Sequence, residues 1–133
     1  PDKDITGLGK QFIIFNHDAL EMYRSVYICE GALNALTIGD RGIATMGKVV
    51  SKYQLNELIK APCQRYIILL DFDAQKYAIE LALKLIQYKK VKLVLFEDNR
   101  DVNDLGRKAV LKKVYETRYA TYQELIQIRN SLE

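Results

Sequence analysis

Tyr66-Ile67-Ile68-Leu69-Leu70-Asp71-Phe72-Asp73 is the stretch that decides the fold. Tyr66 to Leu70 is apolar without alternation, the pattern of a strand covered on both faces, as parallel strands are. It runs directly into two carboxylates one residue apart. Downstream, Ala78, Leu81, Ala82, Leu85 and Ile86 fall at i, i+3, i+4, i+7 and i+8 and predict one apolar helix face, with Lys76, Glu80, Lys84 and Gln87 turned away from it. Val91 to Phe96 then reads as another strand. Upstream, Ser51-x-x-Gln54 has the form of a capping box, in which side chains satisfy the free N–H groups of a helix's first turn. Ile43 to Met46 and Val26 to Cys29 read as strands, with a helix over Gly31 to Thr37 between them. A basic helix is expected over Asn103 to Tyr115, and a last helix opens at Thr121-x-x-Glu124. Phe12 to Phe15 is a candidate extra strand. This alternation implies βαβ units with right-handed crossovers. The expected fold is α/β, a mostly parallel sheet of about four strands with helices on both faces, Rossmann-like. Ligands in such sheets sit at the carboxyl ends of the strands.

The composition agrees with one domain that can bury a core. The chain has 133 residues, of which 49% are hydrophobic and 28% charged. Its longest apolar runs fall far short of the roughly 18 residues that span a bilayer, so no membrane partner is expected. No basic stretch followed by an apolar core opens the chain, which favours a cytoplasmic setting. One His and two separated cysteines, Cys29 and Cys63, do not make a structural zinc site, and reduced thiols are expected. The net charge of +3 is compatible with a nucleic-acid partner without demanding one. The chain opens at Pro1, as a piece of a longer protein would. Residues 1–133 are read as a single domain, with a lead-in over 1–25, a core over 26–111 and a C-terminal helical extension over 112–133.

Three strands end in acids: Cys29 runs into Glu30-Gly31, Leu70 into Asp71-Phe72-Asp73, and Phe96 into Glu97-Asp98, followed by Asp101-Val102-Asn103-Asp104. Parallel strands gather all of these along one edge, where close carboxylates repel and raise one another's pKa. A divalent cation removes that penalty. Oxygen ligands with no His or Cys beside them favour Mg²⁺ or Mn²⁺, and Mg²⁺ is commonly completed by substrate phosphates. A lone Asp after a strand is usually a cap or turn residue. Asp-x-Asp, with a second strand ending in Glu-Gly, is harder to explain by caps.

In this ordered set the chain resembles the Toprim domain shared by topoisomerases, bacterial-type primases, certain nucleases and recombination proteins. The resemblance runs from Val26 to about Leu111 and is nearest the primase branch. Cys29-Glu30-Gly31-Ala32-Leu33-Asn34-Ala35-Leu36 is similar to that branch's Glu-Gly-x-x-Asp-Ala-Leu segment. Ile43-Ala44-Thr45-Met46-Gly47 resembles the strand and glycine loop that follow it, and Asp101-Val102-Asn103-Asp104-Leu105 its closing motif. Gly9-Lys10-Gln11-Phe12 to Asn16, then Asp18-Ala19-Leu20, resembles the lead-in of phage primase-helicases. The resemblance implies Glu30 as the general acid/base or a metal-poising carboxylate, Asp71 and Asp73 as Mg²⁺ ligands, and Asp101 as an assisting acid. It further implies primer synthesis on a single-stranded DNA template from nucleoside triphosphates. The implied setting is a bacterial or phage-infected cell, beside a helicase or zinc-binding domain of the parent protein. Three departures stand out: Asn34 replaces the motif's Asp, Ala74-Gln75-Lys76 replaces a glycine after Asp-x-Asp, and Arg100 replaces a lysine.

Lys48, Arg100, Arg107 and Lys108 are candidate phosphate or nucleic-acid contacts, against the plainer reading of a solvated surface. Arg107, Lys108, Lys112 and Lys113 together predict a basic helix face. Gly42 to Lys48 fits most of a P-loop but fails at Val49, where Ser or Thr is required. Gly7-x-Gly9 lacks the third glycine of a dinucleotide fingerprint. His17 reads as a surface or capping residue, and the 9 tyrosines read mainly as packing. Competing functions are a Toprim nuclease, a non-catalytic DNA-binding module and, last, a receiver-like domain phosphorylated on Asp71.

Overall fold

The computed structural model describes residues 11–133. Four strands, β1 (Ser25–Cys29), β2 (Gly42–Ala44), β3 (Arg65–Ile68) and β4 (Lys90–Leu93), form one sheet in the order β2-β1-β3-β4, and every pair is parallel. The register sets Ile43, Ile28, Ile68 and Leu93 in one row across the sheet. That row faces a core built with α1 (Ala19–Met22), α3 (Lys52–Lys60), α4 (Gln75–Leu85) and α7 (Tyr122–Leu132), through Leu20, Leu58, Ile79 and Leu125. Cys29, Ala44 and Ile67 point to the opposite face. There they meet α2 (Ala32–Ile38), α5 (Val102–Leu105) and α6 (Arg107–Glu116) through Ala35, Val102 and Val110. Two covered faces explain why β3 has no polar alternation. Among the described residues no helix is long and apolar enough to cross a membrane.

The expected capping boxes form. Ser51 Oγ accepts from Gln54 N at 3.1 Å, Ser51 N donates to Gln54 Oε1 at 2.9 Å, and Thr121 and Glu124 repeat the exchange. Gln54 is also fully buried, and its Nε2 donates to Ile13 O and Thr45 O, both at 2.8 Å. It thereby ties α3 to the segment leaving β2. Gly42 has a packing role: a Cβ there would lie 2.5 Å from the carbonyl oxygen of Ala35, so α2 approaches β2 closely only because that position is bare.

Three expectations are corrected. Phe12 to Phe15 is not a strand: Phe12 and Ile13 are about half exposed, and Phe15 alone pairs, in an antiparallel bridge to Ala44. The basic helix over Asn103 to Tyr115 is two helices, because Gly106 takes φ +85° between α5 and α6. The strands are also shorter than their apolar runs. β2 stops at Ala44, where Met46 turns left-handed (φ 66°), while Leu69, Leu70, Val94 and Phe96 are buried beyond the ends of β3 and β4. Residues 1–10, including Gly7-x-Gly9 and the Gly9-Lys10 start of the lead-in motif, lie outside the described residues.

Candidate metal centre

β1 and β3 are neighbours and parallel, so their carboxyl ends deliver acids to the same place. Glu30 follows β1 directly, and Gly31 behind it is the N-cap of α2. Asp71 opens a single 3₁₀ turn over Phe72–Ala74, closed by Ala74 N donating to Asp71 O at 2.9 Å; the turn carries Asp73. One carboxylate oxygen from each of Glu30, Asp71 and Asp73 lies within 4.8 Å of the other two.

The loop leaving β2 completes the group. Thr45 N donates to Cys29 O at 3.1 Å and Gly47 N to Glu30 O at 3.2 Å, so the loop is strapped to the backbone of Glu30 itself. Thr45 Oγ1 donates to Gly47 O at 2.9 Å across the left-handed Met46. Lys48 is thereby placed with Nζ 3.5 Å from Asp73 Oδ2.

The electrostatics follow from this packing. Burial, then Asp71 and then Asp73, push the Glu30 carboxyl above its usual range, and Lys48 pulls it back. Burial, then Asp101, Asp73 and Asp104, push Asp71 up, with Lys48 again opposing. Beneath them the Cys29 thiol is pushed up to about 12 by burial and then by Asp71, so it stays protonated at neutral pH. Cys29 and Cys63 are both free thiols. Glu30 Oε1 and Asp71 Oδ1 are buried without a hydrogen-bond partner, and so is Asn34 Nδ2 on the first turns of α2. Two unsatisfied carboxylate oxygens beside a third acid, all hard donors, fit a divalent cation of the Mg²⁺ or Mn²⁺ kind.

The structure does not place the other candidates in that group. Asp101 is the N-cap of α5: its Oδ1 accepts from Asp104 N at 2.9 Å, and Asp104 Oδ2 accepts from Asp101 N at 3.0 Å. It flanks Asp71 electrostatically without joining the three-acid cluster. Asp104 is a second flanking charge, and the Asp-x-x-Asp spacing of a capping box is the signal that could have marked it. Arg100 is engaged in a two-toothed pair with Asp98, Nε to Oδ1 at 3.1 Å and Nη2 to Oδ2 at 3.0 Å. Arg107 turns away from the acids, its Nε donating to Ile38 O at 2.8 Å. Lys108 is exposed on α6 and is not among the charges that shift Glu30 or Asp71. His17 pairs with Glu57 at 2.9 Å, a surface role. Gly42 to Lys48 begins in a strand, so it is no P-loop.

No family model matches the chain, and no curated protein matches it. Among solved structures, the fold is similar to that of the RNA polymerase domain of Mycobacterium tuberculosis primase DnaG. The TM-score is 0.60 and the identity 16%, over 90% of this chain. The chain spans 44% of that neighbour's length. The shared feature is the architecture, a parallel four-stranded sheet with helices around it.

Proposed function

We propose that this chain is the metal-dependent nucleotidyl-transfer core of a Toprim-type DNA primase, joining ribonucleotides on a single-stranded DNA template. The observation that supports it most is the meeting of Glu30, Asp71 and Asp73 at the carboxyl ends of adjacent parallel strands, with two of their buried oxygens unpartnered. The likeness of fold to a primase polymerase domain points the same way.

In this reading Asp71 and Asp73 hold Mg²⁺ or Mn²⁺, with Glu30 beside them and Asp101 shaping the field around Asp71. The ion, when bound, supplies positive charge against the triphosphate oxygens. Lys48, already beside Asp73, reaches the same phosphates as an ammonium donor. The hydroxyl of the growing strand attacks the α-phosphorus, a new P–O bond forms and pyrophosphate leaves. Glu30 accepts the hydroxyl proton at its carboxylate. β1, α2 and the loop strapped to Glu30 O hold that carboxylate in place. Cytoplasmic placement, and further domains of a parent protein such as a helicase or zinc-binding module, belong to the same proposal.

The test is a primer-synthesis assay with single-stranded DNA, ribonucleoside triphosphates and Mg²⁺ or Mn²⁺, run beside Mn²⁺ paramagnetic NMR. Wild type is expected to broaden around Gly31, Phe72 and Asp73 and to extend primers. Asp71→Asn with Asp73→Asn should lose both, the activity by at least about a hundredfold. Broadening without primer synthesis, combined with metal-dependent nicking of plasmid in the absence of nucleotides, would replace the primase reading by a nuclease. No localised broadening would remove the metal centre altogether.

A further inference from the structure

The far end of α2 carries a second polar site. Tyr23, Tyr27, Asp40, Arg41 and Arg107 line a cavity of about 260 Å³, just below the roughly 300–1,000 Å³ of sites for whole drug-sized ligands. It is built from parts fixed independently. Tyr27 N donates to Arg41 O at 2.9 Å, which holds the backbone of Arg41, just ahead of β2, against β1. The Arg41 guanidinium lies 5.1 Å from the Tyr23 ring centroid. The Arg107 guanidinium is anchored by Nε on Ile38 O at 2.8 Å, which leaves its terminal nitrogens available. It also packs over Gly39, whose φ of +113° favours glycine and where a Cβ would be in ordinary van der Waals contact, 3.8 Å from Nε. Among the described residues neither guanidinium has a carboxylate within ion-pair distance, although Asp40 lines the same cavity.

Two guanidiniums with no acidic partner among the described residues, held beside two aromatic rings, are the chemistry of a phosphodiester backbone with a stacked base. The carboxylate of Asp40 suits an N–H donor on the edge of a base, such as the imide of thymine, rather than its phosphate. Glu30 precedes the first turn of α2 and Ile38 closes its last, so this cavity and the acidic cluster lie at opposite ends of a helix about 10 Å long. On α2, Leu33 and Leu36 are 70% and 61% exposed, an apolar surface that unstacked bases can cover.

We infer that the Tyr23–Tyr27–Arg41–Arg107 cavity is a docking site for one nucleotide of a single-stranded nucleic acid, separate from the acidic centre and independent of metal. The inference takes from the proposed function only that a single strand is the partner.

The probe is a fluorescein-labelled oligothymidylate, its binding followed by anisotropy in EDTA. Arg41→Glu is expected to weaken binding by at least about tenfold. Lys84→Glu, the same charge change on the exposed side of α4, should alter it less than about threefold. Asp71→Asn with Asp73→Asn should bind as wild type does or better. Titration of isotope-labelled wild type with the unlabelled oligonucleotide needs no variant and should shift the amides of Tyr27, Gly39, Arg41 and Arg107. Equal losses in the two charge reversals, shifts confined to Gly31, Phe72 and Asp73, or equally tight binding of thymidine monophosphate would each overturn the site. Strand binding here without primer synthesis would leave this inference standing and sink the primase reading. Primer synthesis with no shift at these four amides would do the reverse.

Discussion

Asp71 concentrates the electrostatic cost of the candidate centre. It is half-buried, one oxygen has no donor, and three other acids raise its pKa after burial does. A carboxyl whose pKa is higher folded than unfolded contributes its full stability below the unfolded value. It loses that contribution as pH rises through the folded value. Glu30 behaves in the same way. Metal-free protein is therefore destabilised by these two groups at neutral pH and relieved as pH falls toward the ordinary values of 3.8 and 4.5. Asp71→Asn cannot ionise, so in EDTA it should melt above wild type at pH 7, and the gap should shrink to nothing below about pH 4, as read by paired thermal melts. Lys48→Met should act in the opposite direction. It removes the one cation that lowers both pKa values, and at pH 7 in EDTA its Tm should fall below wild type. A Tm gap for Asp71→Asn that is the same at pH 4 and pH 7 would mean the acid is not under strain.

At the scale of elements, α5 and α2 separate two kinds of legibility. Asp101 reads in sequence as part of an acidic motif, and its observed work is to cap α5 in a reciprocal exchange with Asp104. Cap and charge can be told apart by substitution. Asp101→Asn keeps an acceptor for Asp104 N and removes a charge beside Asp71, so the metal-free Tm should hold or rise. Asp101→Ala loses the cap and should cost about 1 kcal/mol by chemical denaturation. Gly42→Ala forces a methyl against the Ala35 carbonyl and should cost about 1–3 kcal/mol, because α2 must back away from β2. The strands, the long helix face and the capping boxes were legible because each rests on residues close in sequence. The break at Gly106 was not, since glycine inside a basic, weakly amphipathic stretch gives no sign of its φ. The direction of Arg107 was not either: its partner, the Ile38 carbonyl, lies 69 residues away, and no periodicity encodes such a pairing. The three clustered acids were legible because a carboxylate directly after an apolar parallel strand has one edge to go to. Lys48 joined them only through the strapped loop whose left-handed turn falls on Met46 rather than on a glycine.

For the whole molecule, net charge understates how charge is arranged. The total is +3, yet Glu30, Asp71, Asp73, Asp101 and Asp104 lie along one end of the sheet, while Arg41 and Arg107 line a cavity at the other end of α2. A fold that gathers acids on a partly buried edge holds back stability until something positive arrives. A divalent cation that binds the folded cluster, and has no comparable site in the unfolded chain, must then raise global stability by mass action. At a hundred times its dissociation constant the gain is about 2.7 kcal/mol, which for a chain of this size is a rise in Tm of roughly 8–12 °C. The rise should continue logarithmically with added Mg²⁺ or Mn²⁺, vanish in Asp71→Asn with Asp73→Asn, and be reversed by chelation. Arg41→Glu should leave it unchanged, because that residue lies at the other end of α2. A metal-dependent rise that survives the double substitution would place the ion elsewhere, and with it the chemistry assigned to Glu30, Asp71 and Asp73.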